Sequence, residues 1–459
     1  MRDAAPVRAG LPAVVVIGGG FSAATLAVEL ARRGRLGGLA LTVVDPTPKV
    51  GRGVAYQAHP AHRLNVPVER MGIADDPTGT FQAWVLANGH PANTGDFVPR
   101  NLFGEYVAER WHAECDATVT HARARAIDVA RTGSGWRVGL EHGGALLADV
   151  VVLAQGHAAP RTPAALPLTV RAGPRYVARP WTEDAVQGVG RQEPVLVLGA
   201  GLTAVDVVVA LRSAGHRARI TLLSRRGLLP RPHASGPAAG PLPPLSLDGD
   251  LFDVIREVRT AVAAAEARGE PWQSVIDAVR HRVPALWRRL GDADRGHFLR
   301  HFRPWWDVYR HRIPTDIHRE LERLQDAGVI DLVAGRLVDA TPLPDGVGVT
   351  FRRRGRAATE SLDVGHVVNA TGADLDLAAS GDALVRRLLA AGLLTRDAHA
   401  IGLVTDDDGT AVDASGARAE GLFVLGGARR PAEWECTAVP ELRAQASSLA
   451  ERLASRLLV

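Results

Sequence analysis

The stretch from residue 13 to residue 45 contains a glycine pattern that can hold a diphosphate. Ala13–Ile17 is a mostly β-branched apolar run without alternation, which predicts a strand buried on both faces of a parallel sheet. Gly18, Gly20 and Ala23 follow at the spacing Gly-x-Gly-x-x-Ala and lead into a helical pattern. The first glycine permits a sharp bend, the second lets a pyrophosphate approach the backbone, and the alanine keeps helix and strand close. The N-terminus of that helix then favours a phosphate.

The residues after this turn extend the prediction to a whole dinucleotide. Asp45 ends the next predicted strand, where its carboxylate can accept hydrogen bonds from the ribose hydroxyls of an adenosine. Arg52, flanked by two glycines, lies in the following loop and is predicted to contact a pyrophosphate or a ring system. Asn65, between two apolar residues, is either a satisfied core amide or a hydrogen-bond partner for a heterocycle.

The same pattern recurs about 180 residues later in the chain, with a different ending. Gly199, Gly201 and Ala204 repeat the spacing after another buried-strand pattern. The next predicted strand ends without an acid, in Ser224, Arg225 and Arg226. An acid would repel a 2′-phosphate, whereas hydroxyl and guanidinium groups favour one. The second site is therefore predicted to prefer NADPH, with NADH as the alternative.

The rest of the 459-residue chain supplies the elements that must position these turns, and its length suits two to three domains. Residues 117–153 alternate apolar stretches with glycine-rich turns, which predicts a small β-meander that returns to the first sheet. Residues 245–328 switch to helical periodicity. We therefore expect an α/β protein with two Rossmann-like dinucleotide-binding domains, a small β-meander and a helical insertion.

Composition excludes several classes of function. The net charge is only +4, and no block of basic residues or interleaved aromatic stripe indicates nucleic acid binding. The two cysteines, Cys115 and Cys436, form no Cys-x-x-Cys motif, which argues against a disulfide framework, a metal site and a redox-active dithiol. No apolar run approaches the roughly 18 residues of a membrane span, and the N-terminus does not resemble a signal peptide. We expect a cytoplasmic protein.

Two further features carry open interpretations. His157 follows a predicted strand and is expected to be a solvated turn residue rather than a catalytic group. The segment from Trp305 to Arg312 gathers aromatic and basic residues that either line a pocket for a planar anion or pack the helical insertion onto its sheet, and packing is the commoner arrangement. The sequence identifies no catalytic base.

Five separated motifs resemble one bacterial FAD-NAD(P)-binding flavoprotein family, within the two-dinucleotide flavoprotein monooxygenases that include FAD-dependent urate hydroxylase. They are GlyArgGlyValAlaTyr (51–56), ArgLeuAsnValPro (63–67), SerArgArgGlyLeuLeuProArg (224–231), ArgProTrpTrpAsp (303–307) and TrpGluCysThrAlaValProGluLeuArg (434–443). The chain departs from the pattern at Cys436, where we expect Thr, and at Gly427, where many flavoproteins have Asp.

The resemblance implies FAD on the first glycine turn and NADPH on the second. Thr371 and Gly372 would form the turn where the chain passes back to the flavin domain, and Gly426 and Thr437 would lie near the flavin. The implied domains are residues 1–160 and 365–459 for FAD, and residues 190–364 for NADPH. A helix N-terminus after the loop at Gly426 can stabilise the negative charge of a reduced flavin.

The implied activity is an NAD(P)H-consuming monooxygenase that uses O2 to hydroxylate a small electron-rich substrate. Urate, oxidised to 5-hydroxyisourate, is the first expectation, and the amino group of an amino acid such as aspartate is the alternative. Two rivals remain: a flavin reductase or dehydrogenase that passes electrons to a protein or quinone, and a module that senses nucleotides without turnover. The oligomeric state is not predicted.

Overall fold

The computed structural model describes residues 10–182, 184–234 and 243–457. They form two compact units. The first unit comprises the described residues of Met1–Gln57, Val66–Ala158 and Asp374–Val459, and the second those of Ala58–Asn65 and Ala159–Ala373.

The described residues contain sixteen strands, numbered in chain order. They are β1 (Ala13–Ile17), β2 (Ala40–Val44), β3 (Thr120–Ala122), β4 (Ala126–Arg131), β5 (Trp136–Leu140), β6 (Ala145–Ala148), β7 (Val150–Leu153), β8 (Tyr176–Val177), β9 (Val195–Leu198), β10 (Ile220–Ser224), β11 (Ile330–Leu343), β12 (Gly346–Arg353), β13 (Thr359–Val364), β14 (His366–Asn369), β15 (Thr410–Val412) and β16 (Arg418–Val424).

The helices of the described residues are numbered in the same way. They are α1 (Phe21–Arg32), α2 (Gly53–Tyr56), α3 (Thr80–Ala87), α4 (Arg100–Glu114), α5 (Leu168–Arg171), α6 (Leu202–Ser213), α7 (Leu251–Ala267), α8 (Gln273–Arg280), α9 (Val283–Arg289), α10 (Asp292–His297), α11 (Arg303–Arg310), α12 (Thr315–Asp326), α13 (Ala383–Ala390) and α14 (Val439–Leu457). A π-helical turn, Phe298–Phe302, joins α10 to α11.

The first unit is built on a six-stranded sheet in the order β15-β16-β7-β1-β2-β3. Its strands are parallel except for β15, which pairs antiparallel with β16 at one edge. Every residue of β1 is buried, as its unbroken apolar run predicts for a central parallel strand. Strands β4, β5 and β6 form the predicted antiparallel meander, and β7 then returns to the sheet beside β1.

The second unit contains a seven-stranded sheet in the order β13-β12-β11-β10-β9-β14-β8. Strands β8, β14, β9, β10 and β11 are parallel, and β12 and β13 extend the sheet as antiparallel strands. Helix α6 buries Val205, Val208 and Leu211 in the same core as Val195 and Val197 of β9. The predicted α/β fold with two Rossmann-like halves is confirmed, and α7 to α12 form its helical insertion.

The structure moves the domain boundaries that the sequence suggested. Strand β14 pairs with β9, so its buried residues belong to the second sheet, and the returning segment of the first unit begins at Asp374 rather than at residue 365. Strand β8 pairs with β14, so the proline-rich stretch before residue 190 is part of the second unit. The cause is strand pairing over long sequence separations, which local composition does not encode.

Within the described ranges, every helix is too short or too polar to cross a lipid bilayer.

Candidate functional site

The first glycine turn joins β1 to α1 at the carboxyl edge of the first sheet. Gly18 has a φ of +108°, and a Cβ atom there would lie 2.3 Å from the carbonyl oxygen of Ala154, which follows β7. The Gly18 N–H donates to Val44 O (2.9 Å), and the Ala154 N–H donates to Ile17 O (2.8 Å). Three parallel strands therefore end at one level, and only glycine fits between them.

A second close approach forms a cradle without side chains. A Cβ on Gly20 would lie 3.6 Å from the Cα of Gly53, and a Cβ on Gly53 would lie 3.1 Å from the Cα of Gly20. Helix α1 starts next to this gap and has no acidic residue in its first turn. Ala23, the third residue of the motif, is fully packed against the core. The free N–H groups of the helix start therefore border a gap that suits a diphosphate.

Asp45 lies at the end of the second strand, where a ribose contact is predicted, and it also stabilises the glycine turn by hydrogen bonds. Its Oδ2 accepts a hydrogen bond from the Gly19 N–H (2.7 Å), and its Oδ1 accepts one from the Thr47 N–H (2.8 Å). An ionised carboxylate offers about four lone-pair sites, so acceptor capacity remains for a ribose hydroxyl. Asp45 thus couples the shape of the glycine turn to the predicted ribose contact.

Arg52 lies in a loop that is tied to the glycine turn. The Gly51 N–H donates to Gly19 O (2.7 Å), which holds the loop in place. Arg52 is half-buried, and its Nε has no hydrogen-bond partner among the described residues. An unsatisfied buried donor is costly, and an anion bound at the neighbouring cradle would satisfy it. These residues therefore fit the diphosphate of a dinucleotide such as FAD.

The second glycine turn has the same backbone geometry as the first. Gly199 has a φ of +127°, and a Cβ there would lie 2.2 Å from the carbonyl oxygen of Ala370, which follows β14. A Cβ on Gly201 would meet no atom within 4 Å, so the start of α6 is open. Ala204 is fully buried against the sheet. This turn therefore also fits a diphosphate at a helix N-terminus.

Thr371 and Gly372 lie beside the second turn. The Thr371 hydroxyl donates to Asn369 Oδ1 (2.7 Å), and the fully buried Asn369 donates from Nδ2 to the Tyr176 hydroxyl (3.1 Å). This network fixes the end of β14, where Gly372 has a φ of +85°. Both residues belong to the second unit, whereas the family resemblance placed them at the return to the flavin domain.

The end of β10 carries the polar and basic residues that the sequence assigned to a 2′-phosphate. Ser224 Oγ accepts a hydrogen bond from the Gly227 N–H (3.0 Å) and closes a turn. Arg225 is exposed, and Arg226 is half-buried with its Nη2 donating to the carbonyl oxygen of Arg300 (3.3 Å). The cationic end of this strand contrasts with Asp45 in the first unit.

Asn65 is not in the compact unit that holds the first glycine turn. It belongs to the second unit, where its carbonyl oxygen accepts a hydrogen bond from His233 Nε2 (3.0 Å). Its side chain is half-buried rather than enclosed in a core. A contact between Asn65 and a heterocycle stays a prediction.

The loop before α14 brings together Gly426, Cys436 and Thr437. The Gly426 N–H donates to Gln445 Oε1 (2.8 Å), and a Cβ on Gly427 would lie 3.2 Å from Thr437 Cγ2. Cys436 is fully buried with its Sγ 3.8 Å from Gly426 O, and burial raises its pKa to about 12. This thiol therefore packs the loop and stays protonated.

A small pocket of about 50 Å³ opens beyond the ends of β7 and β16 in the first unit. Its polar wall includes Gln155, whose Nε2 donates to Asp382 Oδ2 (2.9 Å). His157 is an exposed residue of this wall, as expected. Sequence reasoning missed Asp382, although its place before a helical run is a capping signal that the structure bears out at the Val385 N–H (3.1 Å).

Part of the aromatic and basic segment of the helical insertion is held by contacts inside the insertion. The Tyr309 ring packs edge-to-face on Trp272, with centroids 5.0 Å apart, and Arg231 lies 5.6 Å from the same ring. Arg312 is almost fully buried and forms an ion pair with Asp277. These contacts hold Tyr309 and Arg312 against other residues of the helical insertion, while the Trp305 side chain is exposed. Among the described residues, no group of three or more side chains is arranged to bind a metal ion.

Two mainly parallel sheets, each with a glycine turn at its carboxyl edge, make a fold with two Rossmann-like halves. Solved structures with this fold include the ornithine N-hydroxylase of Kutzneria sp. 744 (17% identity, TM-score 0.66, 97% of this chain and 99% of that one). The L-lysine 6-monooxygenase of Pseudomonas syringae is similar at 18% identity and a TM-score of 0.63, covering 97% of this chain and 98% of that one. The bacillithiol disulfide reductase of Bacillus cereus is similar at 15% identity and a TM-score of 0.59, covering 97% and 99%.

Residues 15–158, which carry the first glycine turn, match the family model described as FAD-NAD(P)-binding. A search of curated proteins found no match.

Proposed function

We propose that this protein is an FAD-dependent, NADPH-consuming monooxygenase that hydroxylates a nitrogen atom of a small amino compound. The observation that carries the proposal is the pair of glycine turns with opposite charge at the following strand end. Asp45 suits the free ribose of one dinucleotide, and the group around Ser224 and Arg225 suits the 2′-phosphate of another. One chain that binds two different dinucleotides is equipped for electron transfer between them.

The residues of the two units have separate tasks in this proposal. Gly20, Gly53 and Arg52 bind the FAD diphosphate, and Asp45 orients the adenosine ribose. The start of α6 binds the NADPH diphosphate. When bound, FAD supplies hydride acceptance from NADPH and the reaction of the reduced ring with O2.

Nitrogen rather than carbon hydroxylation is supported by the solved structures with this fold. The ornithine N-hydroxylase and the lysine 6-monooxygenase each align with nearly the whole chain. Urate remains the second candidate substrate, on the family resemblance of the sequence motifs alone. The amino group of aspartate is a third compound to be tested.

Disulfide reduction is the less favoured alternative, although the bacillithiol disulfide reductase shares the fold. A thiol relay needs a pair of accessible cysteines, and the chain has two cysteines, both buried and unpaired. Burial raises the pKa of both Cys115 and Cys436 to about 12, so neither forms a thiolate at neutral pH.

The test is a coupled assay on the purified full-length protein. We expect a yellow protein whose absorbance is bleached by NADPH without oxygen. Ornithine, lysine, aspartate and urate are then compared for the rate of O2 consumption and for the ratio of hydroxylated product to hydrogen peroxide.

Each outcome decides between the candidates. Hydroxylated amine with little peroxide supports the proposal, and 5-hydroxyisourate supports the urate alternative in its place. Bleaching followed by peroxide alone, with every compound, would favour a reductase. A protein that stays colourless after incubation with excess FAD would overturn the proposal.

A further inference from the structure

The helical insertion contains a π-helical turn at a place where two other elements meet. The turn is Phe298–Phe302, and Arg300 lies in its middle. The carbonyl oxygen of Arg300 accepts the hydrogen bond from Arg226, which follows the end of β10. π-Helical turns are rare and occur frequently at functional sites. The contact brings an arginine of the insertion next to the predicted 2′-phosphate residues.

Two histidines extend this basic group. The rings of His297 and His301 are 4.6 Å apart, and the ring of Phe252 from α7 lies 5.1 Å from His297. His301 itself is exposed. Partial desolvation lowers the pKa of His301, and the nearby His297, Arg300 and Arg226 lower it further. A positive charge on His301 is therefore repelled by the neighbouring guanidinium groups, and a bound anion would relieve that repulsion.

We propose that Arg300 and His301 of the π-helical turn, together with Arg226, bind the 2′-phosphate of NADPH. The position of Arg226 after β10 supports this proposal, because the residues after the second strand of a dinucleotide fold contact the ribose substituents. A phosphate monoester agrees in chemistry, since its three acceptor oxygens and nearly two negative charges match several cationic donors. The inference rests on the proposed function, which places NADPH at the second glycine turn.

Binding of the phosphate would change the protonation of His301. In the free protein, partial desolvation and the neighbouring cations lower the pKa of His301. A bound dianion offsets that repulsion, so the pKa of His301 is higher in the complex than in the free protein. The contribution of His301 to affinity is therefore complete below its free pKa and is lost as pH rises through its pKa in the complex.

The test uses binding of 2′-AMP to the full chain, with adenosine as the probe that lacks the phosphate. Calorimetry at about pH 6.5 and about pH 8.5 spans the range in which a histidine titrates while the phosphate stays mostly doubly charged. We expect Arg226→Ala to weaken 2′-AMP binding about tenfold at both pH values, the size of one charge-assisted contact. His301→Ala should weaken it about threefold at the lower pH and leave it unchanged at the higher pH.

Two further variants control the histidine result. His281→Ala removes an exposed histidine elsewhere on the insertion and should change nothing. His301→Arg keeps a positive charge at every pH, so its 2′-AMP affinity should lose the pH dependence and stay high. Adenosine affinity should be the same in all variants, and thermal unfolding reports whether each variant is folded.

Equal affinity for 2′-AMP and adenosine would overturn the inference. So would an effect of His301→Ala that matches that of His281→Ala, or one that does not depend on pH. This assay needs neither flavin nor turnover, so it is independent of the monooxygenase proposal. A protein that binds 2′-AMP as described but does not oxidise NADPH would contradict the proposed function and support this inference.

Discussion

The two glycine turns have the same backbone geometry, but the strands that follow them end in residues of opposite charge. In each, a glycine of positive φ lies against the carbonyl oxygen of an alanine after the neighbouring parallel strand, Gly18 against Ala154 and Gly199 against Ala370. The next strand then ends in Asp45 in the first unit and in a hydroxyl and guanidinium group in the second.

The difference in charge at the strand ends shows how the same strand-turn-helix-strand unit can be adapted to two different ligands. Sterics fixes the turn, because any side chain at the first glycine meets the backbone of the adjacent strand. Charge at the strand end then selects the nucleotide, because it lies where the ribose substituents fall. In the proposed function, each turn therefore binds a dinucleotide, and the residues after the next strand select which one.

The largest expected effect comes from breaking either turn. Gly18→Ala forces a Cβ to within 2.3 Å of Ala154 O, and Gly199→Ala forces one to within 2.2 Å of Ala370 O, each at a positive φ. Each change should destabilise its unit by about 4 kcal/mol. Gly18→Ala should yield a protein without flavin colour, and Gly199→Ala a yellow protein that NADPH bleaches poorly. Absorbance and thermal unfolding measure both.

Gly37→Ala is the matched control, since a Cβ there meets no atom within 4 Å and its φ is not positive. It should keep the colour and the unfolding temperature of the parent. Identical behaviour of Gly18→Ala and Gly37→Ala would mean that the close approach does not constrain the first turn.

The second largest effect is expected when the end of β10 is given a negative charge, like that of Asp45 in the first unit. Ser224→Asp places a carboxylate where the 2′-phosphate is proposed to bind, and repulsion should raise the KM for NADPH about 30-fold while that for NADH stays within about twofold. Steady-state bleaching kinetics with both nucleotides measures this.

Ser224→Asn is the matched control because it keeps an acceptor for the Gly227 N–H without a charge. Its nucleotide preference should stay close to that of the parent. An equal shift in both variants would show that the turn, not the charge, sets the preference.

A smaller effect is expected from neutralising Asp45. In Asp45→Asn one acceptor oxygen is lost, so either the Gly19 or the Thr47 N–H is left unpaired. We expect FAD affinity to fall about tenfold, while 2′-AMP binding is unchanged. Fluorescence titration of the apoprotein with FAD gives the affinity, and a loss of 2′-AMP binding would argue against separate sites.

The smallest effect concerns the thiols of the first unit. Because burial raises the pKa of Cys115 and Cys436 to about 12, thiolate is scarce at neutral pH and increases only as pH approaches that value. Iodoacetamide at neutral pH should modify neither cysteine in the folded protein and both in urea, as read by mass spectrometry. Rapid modification of the folded protein, with loss of NADPH-dependent activity, would revive the reductase alternative.

Local sequence was sufficient for the turns because their chemistry is local. The apolar run of β1, the glycine spacing and Asp45 lie within one strand-turn-helix-strand unit, so their positions follow from adjacent dihedral angles. The long-range partners do not follow in this way. Asn65 belongs to the second unit although Arg52, close to it in sequence, belongs to the first, and the hydrogen bond between Gln155 and Asp382 joins residues 227 positions apart.

The sequence by itself determined two glycine turns, the opposite charges that follow them, the meander and the helical insertion, since periodicity and glycine spacing act over a few residues. Only the tertiary structure decided that β14 closes the second sheet, that Arg52 is left with an unsatisfied donor and that the π-helical turn brings Arg300 and His301 to Arg226. Those outcomes depend on which distant segments pack together, and the burial that drives packing is a property of the whole chain.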